Sequence, residues 1–362
     1  MIAHEDTALE GTARERTGET SLPDTGTTAA DTRAYRLVIV GLGSQGAGIA
    51  DEVVALGHRL VGAVDIAPKA GRSIREFTTA PSMPELTVSD DLEGTLRRTA
   101  PDAVILAPAL GLAPILEMAG TALDLGIDVL TLQQDVLSRD DGWAEAVDAR
   151  ARAGGASLMA SGVQDIWWVQ LPALVAASSL DITRVRFSSE ISLEQLSRAI
   201  GEEIGVLLSH EEFAEFARAT ADSPSVLGAP MVEAARRMGL RAGPVSKRIV
   251  PIFPGEEVEW RAGGVTIPSD RTCGFTETVS FTTDRGIVFE GTVAVQRKHP
   301  DDACDELHID GRPDLHLILP KFPGHEITNT SLIARIPDVI AAPPGVRFAA
   351  EMPPPRHQLP RR

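Results

Sequence analysis

The chain has 362 residues, 43% of them hydrophobic and 4% aromatic, with a formal net charge of −17. That length is enough for two domains with cores of their own, and no uninterrupted apolar run reaches the length of a bilayer span. The acidic balance argues against a nucleic-acid partner, whose phosphates it would repel, and leaves open an anion held locally by backbone amides.

Residues 1–33 are rich in Thr, Ala, Glu, Asp and Gly and poor in large apolar side chains, so a disordered tail is expected there. From residue 34 strands and helices alternate. Strands are expected at 36–40, 59–64, 86–88, 103–107, 128–132 and 157–160, with helices notably at 47–56, 113–125 and 143–153. Such alternation demands a parallel sheet with crossover helices on both faces, so 34–162 reads as an α/β, doubly wound, Rossmann-type dinucleotide-binding domain. Ligands of these sheets sit at the carboxyl ends of the strands. Three tips matter by that rule: Gly41 to Gly46, Ala107-Pro108-Ala109-Leu110, and Leu132-Gln133-Gln134-Asp135.

The first tip carries the strongest signal. The apolar run Leu37, Val38, Ile39, Val40 leads into Gly41-x-Gly43-Ser44-Gln45-Gly46, and helical spacing follows. Gly41 permits a tight turn, Gly43 lets backbone amides approach a pyrophosphate, and Gly46 lets the helix press on the strand, its positive end facing the anion. The second strand ends in Asp65, where a carboxylate would accept bonds from the adenosine ribose and disfavour a 2′-phosphate, which favours NAD. Lys69 and Arg72, just beyond, have two readings: ligands for that phosphate, which would admit NADP, or solvated surface charge.

Beyond residue 162 the rhythm changes. A strand with one buried face is expected at 182–191, then a helix-rich insertion in which Ser209-x-x-Glu212 is a capping box for a helix over 210–220, and a second helix covers 225–238. Alternating runs at 247–253, 258–262, 273–283, 287–297, 306–309 and 315–319 predict strands, with a hairpin turn at Asp284-Arg285-Gly286. This second part, 163–327, reads as an α+β domain with an open mixed or antiparallel sheet for substrate binding and oligomerisation. A helix at 328–340 opens a segment, 328–348, that returns to the first domain, and a proline-rich tail is expected at 349–362. The long open sheet needs a cover, so a homodimer is expected. Cys273 and Cys304 have no zinc spacing, the histidines no ligand spacing, and the N-terminus no secretory pattern, which points to a reducing cytoplasm and no metal.

A nucleotide-binding domain followed by a sheet domain resembles the dihydrodipicolinate reductase-like family, and within it the 2,4-diaminopentanoate dehydrogenases and related native amine dehydrogenases. The resemblance covers roughly 35–348 and rests on VIVGLGSQGAGIA, VDIAPKAGR, DELHIDGRPDLHLIL and NTSLIARIPDVIAAPPGV. It implies an NAD(P)-dependent oxidoreductase working on a C–N bond: deamination of an amine, or reduction of an imine formed from a small ketone or amino-ketone. In the family a glutamate pair in a Thr-x-Glu-Glu-Leu context faces the substrate nitrogen. Here the stretch is Thr131-Leu132-Gln133-Gln134-Asp135-Val136, so the first carboxylate position looks like Gln134 and the second like Asp135. The family's Gly-Val-Asn-Pro-Gly-Phe junction is replaced by Gly162-Val163-Gln164-Asp165-Ile166-Trp167, and the reductase's own substrate motifs are absent.

Hydride transfer needs little from the protein beyond placement, plus a group that moves a proton or stabilises charge at the substrate nitrogen. Asp135 is the best-placed carboxylate for that role, with capping of the next helix as its alternative, a task for which Ser138, Asp140 and Asp141 are rivals. Gln134 would orient a polar substrate group. Asp165 is either a third site carboxylate or the N-cap of a helix over 166–177. Of Trp167 and Trp168 one belongs in the core and the other walls an apolar substrate pocket; Trp260 and Phe275 either close it from the sheet side or, equally well, pack between sheet and helix. Two further classes stay open: a reductase of a carbonyl substrate, and a nucleotide-binding sensor whose catalytic carboxylate has decayed.

Overall fold

The computed structural model describes residues 33–137, 142–221, 225–320 and 323–360. The expected tail, apart from Arg33, lies outside the described residues, as do Ser138, Asp140 and Asp141. In chain order the first half comprises β1 (Arg36–Val40), α1 (Ser44–Ala55), β2 (Arg59–Val64), α2 (Leu92–Thr99), β3 (Ala103–Leu106), α3 (Leu112–Leu123), β4 (Asp128–Thr131), α4 (Trp143–Gly154) and β5 (Ser157–Ala160). The second comprises α5 (Leu171–Ala176), β6 (Leu180–Ser192), α6 (Arg198–Glu203), α7 (His210–Ala219), α8 (Gly228–Arg237), β7 (Ser246–Ile252), β8 (Val258–Trp260), β9 (Val265–Ile267), β10 (Gly274–Thr282), β11 (Val288–Gln296), β12 (Cys304–Arg312) and β13 (Leu315–Pro320). The chain then returns through α9 (Gly324–Ala334), α10 (Ile336–Ala341) and β14 (Gly345–Arg347).

The first sheet is parallel, in the order β14-β5-β4-β3-β1-β2. Its apolar runs are continuous because both faces are covered. Leu37 and Ile39 point into one core with Ile49 and Val53 of α1 and Leu332, Ile336 and Val339 of α9 and α10. Val38 and Val40 point into the other, against Leu96 of α2 and Ile115 and Ala119 of α3. The expected strand at 86–88 is not part of the ladder. Thr87 bridges Ser73 antiparallel and Ser89 bridges Val64 parallel, so the segment switches partners before either pairing extends. The sixth strand is instead β14, which the sequence reading placed in no strand and which pairs with β5.

The second sheet is mixed, in the order β13-β12-β6-β11-β10-β7, with β6 and β11 parallel and the other pairs antiparallel. Phe187, Val279, Phe281, Phe289 and Leu307 line one face beneath Leu227, which precedes α8, and Met231 and Ala235 of α8. The approach is close enough that a Cβ on Gly291 would lie 2.2 Å from the Met231 sulfur. The Ser209–Glu212 capping box forms as expected, with Glu212 N–H donating to Ser209 Oγ at 3.2 Å.

Three further expectations are corrected. The helix expected at 166–177 is a π-turn over Gln164–Gln170 followed by α5, so Asp165 lies inside a helical turn and is not its N-cap. Pro172 has no N–H to close an α-turn at this point, and Leu171 N–H bonds back to the Ile166 carbonyl in a wide i→i−5 loop. The single helix expected at 328–340 breaks at Arg335, two residues before Pro337. The C-terminal stretch is docked: Met352 is 4% exposed and joins the first core.

Candidate active site

The turn between β1 and α1 is shaped by its neighbours. Gly41 has φ +84°, and a Cβ there would fall 2.6 Å from the Pro108 nitrogen; one on Gly46 would fall 1.8 Å from the Gly41 carbonyl oxygen. Ala107 and Pro108 therefore pack directly on the glycine turn, and Ala107 N–H donates to the Val40 carbonyl at 2.9 Å. Gly43 differs: a Cβ there meets nothing within 4 Å. Protein packing asks for glycine at Gly41 and Gly46, and space above the helix start is left at Gly43. Ser44 is exposed beside it, and the buried Oε1 of Gln45 has no hydrogen-bond partner. An open, amide-lined turn at the N-terminus of a twelve-residue helix fits a dinucleotide diphosphate.

Asp65 braces this turn. Its Oδ2 accepts from Leu42 N–H at 2.8 Å and from the Lys69 ammonium at 3.1 Å, and its Oδ1 accepts from Ile66 N–H at 2.7 Å. Burial pushes the carboxyl up, but these donors outweigh it and hold Asp65 below the usual carboxylate range. Lys69 Nζ also donates to the Leu42 carbonyl at 2.7 Å. Arg72 pairs with Glu76 at 2.6 Å and lies 4.8 Å from the centroid of the Phe77 ring. Lys69 is drawn in against the turn, whereas Arg72 stays exposed, a surface charge paired with an equally exposed Glu76. Beside them a cleft of about 500 Å³ opens between Ala70-Gly71, Val88 to Asp90, and Arg98. It adjoins Asp65, whose N–H donates to the Ser89 carbonyl.

At the β4 tip, Gln133 ties neighbouring strand ends together. Its N–H donates to Thr131 Oγ1 at 3.1 Å and its Nε2 to the Leu110 carbonyl at 2.7 Å. Its Oε1 accepts from Asp135 N–H at 3.2 Å. Gln134–Leu137 then form a 3₁₀ turn in which Asp135 is half-buried and Val136 is buried, and α8 packs against that turn. The side chain of Gln134 lies outside the described residues. Gln133, an anchor common to two of the three tips, was missed by sequence reasoning, which looked for carboxylates at this position.

The π-turn residues separate. Asp165 and Arg335 are both fully buried, with Arg335 Nε 2.6 Å from Asp165 Oδ2 and Nη2 2.8 Å from Oδ1. Ser161 Oγ donates to the same carboxylate at 3.0 Å. This geometry commits Asp165 to a bidentate ion pair that joins the π-turn to the α9–α10 break. Trp168 is the core member of the tryptophan pair, 8% exposed and 5.7 Å from the Phe187 ring, while Trp167 is half-buried. Trp260 closes no pocket here. It is fully buried in a separate core beneath the insertion, its Nε1 donating to the Leu193 carbonyl at 3.0 Å, and Phe275 packs against that core.

No protein-family model matches the chain. It is distantly related to 2,4-diaminopentanoate dehydrogenase of Acetoanaerobium sticklandii, with 21% identity over 343 residues, 89% of this chain and 94% of that protein. Among solved structures it is similar to an amine dehydrogenase from Mycobacterium smegmatis, with 26% identity and a TM-score of 0.79 over 90% of this chain and 98% of the other. An apo scyllo-inositol dehydrogenase from Lactobacillus casei shares the fold at 14% identity and a TM-score of 0.53, over 85% of this chain and 89% of the other. The architecture is that of NAD(P)-dependent dehydrogenases: a Rossmann-like parallel sheet followed by a mixed sheet.

Proposed function

We propose that the protein is an NAD(P)-dependent oxidoreductase acting on a C–N bond, an amine dehydrogenase or imine reductase whose substrate is a small ketone or amino-ketone and its amine. The observation that carries this reading is the glycine turn, where Gly41 and Gly46 are packed by protein and Gly43 faces open space. That one relative is a diaminopentanoate dehydrogenase and another an amine dehydrogenase supports the choice of bond.

A bound pyridine nucleotide supplies the hydride. The amides at the start of α1 hold its diphosphate, with Gln45 and the Ala107-Pro108 turn beside them. Asp65 favours an unphosphorylated ribose, and the Lys69 ammonium 3.1 Å away offsets part of the repulsion a 2′-phosphate would meet, so both NAD and NADP are read as usable, NAD first. At the β4 tip Asp135 is the group that exchanges a proton with, or stabilises charge on, the substrate nitrogen, and Gln134 orients a polar substituent. Trp167 contributes an apolar wall. The ion pair of Asp165 supports a role in holding the junction in place of substrate contact.

Oxidation of NADH and NADPH, followed with ammonia and a panel of ketones and amino-ketones, tests the reading. Ammonia-dependent turnover that drops at least tenfold in Asp135→Asn is the expected result. Turnover indifferent to ammonia points to a carbonyl substrate. Glutamine at position 134, where the resembled family carries glutamate, favours one second reading, a nucleotide-binding sensor. On that reading nucleotide binds tightly and Asp135→Asn changes no rate.

A further inference from the structure

We propose that the C-terminal segment 349–358 is a strap that seats α8 against the β4 tip, with Arg237 as its positioning residue. The proposal rests on the reading above only in taking that tip as the substrate-facing edge.

The segment is held by side chains from several elements. Gln170 Nε2, in the π-turn, donates to the Ala349 carbonyl at 2.7 Å. From α8, Glu233 Oε2 accepts from Ala350 N–H at 3.3 Å, and Arg237 Nη1 donates to the carbonyls of Ala350 at 3.0 Å and Met352 at 2.5 Å. Arg335 Nη1 then donates to the Pro353 carbonyl at 2.5 Å. Gln358 fastens the far end to the first half, its Nε2 donating to Ile333 at 2.8 Å and its Oε1 lying 3.0 Å from His58 Nε2. The segment opens as a 3₁₀ turn over Ala349–Glu351, in which the Ala349 carbonyl also accepts from Met352 N–H at 3.3 Å, and from Pro353 it runs extended with carbonyls that accept side-chain donors.

The pattern on α8 gives the strap a reach beyond its own contacts. Ala229, Glu233 and Arg237 follow one another at four-residue intervals and so share one face of the helix. Ala229 packs into the core that holds Val136 of the 134–137 turn. Glu233 and Arg237, one and two turns further along, hold the strap. Glu233 is 1% exposed and its other oxygen lies 3.6 Å from Arg236 Nη1, so release of the strap takes one of several partners from a buried carboxylate and loosens this face of the helix. The helix start is fixed from the opposite side, where Ser225 Oγ accepts from Leu227 and Gly228 N–H and donates to Glu277 of β10. A face anchored by the strap at one end and resting on the tip at the other transmits the loss of one contact to the other.

Amide hydrogen exchange on the full chain tests this. Arg237→Met should raise exchange at 134–137, which Arg237 does not touch, at least tenfold. Arg237→Lys, whose ammonium can still donate to both carbonyls, should restore it. Thermal-shift titration with NADH and NADPH should give affinities within twofold of the parent for both variants. Loosening of 349–352 with no change at 134–137 would overturn the proposal. If Arg237→Met does not fold, Gln358→Ala releases the strap from its far end and is read in the same way, an unchanged tip again overturning it. Failure of the parent chain to bind either nucleotide would sink the oxidoreductase reading and leave the exchange result intact.

Discussion

Gly43 and Gly46 are three residues apart, in one turn, and demand glycine for opposite reasons. A Cβ on Gly46 would sit 1.8 Å from a backbone oxygen, which only backbone movement can relieve, so Gly46→Ala should cost several kcal/mol and be seen directly in thermal unfolding. Gly43→Ala meets no atom of the chain and should leave unfolding unchanged within about 0.5 kcal/mol. Asp128, at the start of β4, makes a different prediction. Burial raises its carboxyl from 3.8 to about 6, with repulsion from Asp102 adding to the rise and the bond from Ser157 N–H opposing it. A carboxyl raised on folding supports the fold while it is protonated, and that support is lost as pH climbs from about 4 through about 6. Asp128→Asn keeps an acceptor for Ser157 and should stabilise the protein at pH 7 by about 1 kcal/mol after allowance for solvent screening, flattening the dependence of Tm on pH between 4 and 6. At this scale the glycines were legible because each residue type states its own backbone requirement. The partners of Asp65 and Asp135 were not, since a side chain's hydrogen bonds depend on which loops the fold brings together.

Among the elements, the π-turn and the α9–α10 break form one device. The C-terminal helix breaks at Arg335, two residues before Pro337, and there Arg335 turns inward to meet Asp165 of the π-turn. Breaking a buried ion pair by removing one charge typically costs about 3–5 kcal/mol, and Asp338, whose Oδ2 lies 3.1 Å from Arg335 Nη1, would offset part of that here. Asp165→Asn should therefore lower Tm steeply, whereas a residue in contact with substrate would lower turnover at unchanged Tm. The strands of the first sheet and the hairpin over Asp284-Arg285-Gly286 could be read from periodicity and turn chemistry. The pair could not, because its members stand 170 residues apart. The arginine in the otherwise apolar run SLIARIPDVI was the available sign, but Asp338 three residues on offers it a local partner, so the sequence did not point to Asp165. Strand β14 was hidden for a related reason: three residues after a proline pair carry no periodicity, and only the exposed edge of β5 makes them a strand.

Over the whole molecule, residues 34–362 form one compact unit in which the C-terminal stretch packs back onto the first half. Of the expected tail, 349–358 is docked: three consecutive prolines exclude helix and sheet, but they do not prevent docking through carbonyls. Among the described residues no helix is long and apolar enough to cross a membrane. The second sheet keeps one face away from α8, and we propose that a second copy of the chain covers it. Light scattering at micromolar concentration should return about twice the mass of one chain, and a monomer would refute the dimer.

The account as a whole depends on the space above Gly43 being a place for a pyridine nucleotide, and calorimetric titration of the parent chain and Gly43→Ala with NADH and NADPH addresses it most directly. The prediction is micromolar or tighter binding of at least one nucleotide by the parent, and a loss of at least tenfold in a variant that unfolds at the same temperature. No binding by the parent, or undiminished binding by Gly43→Ala, would contradict it.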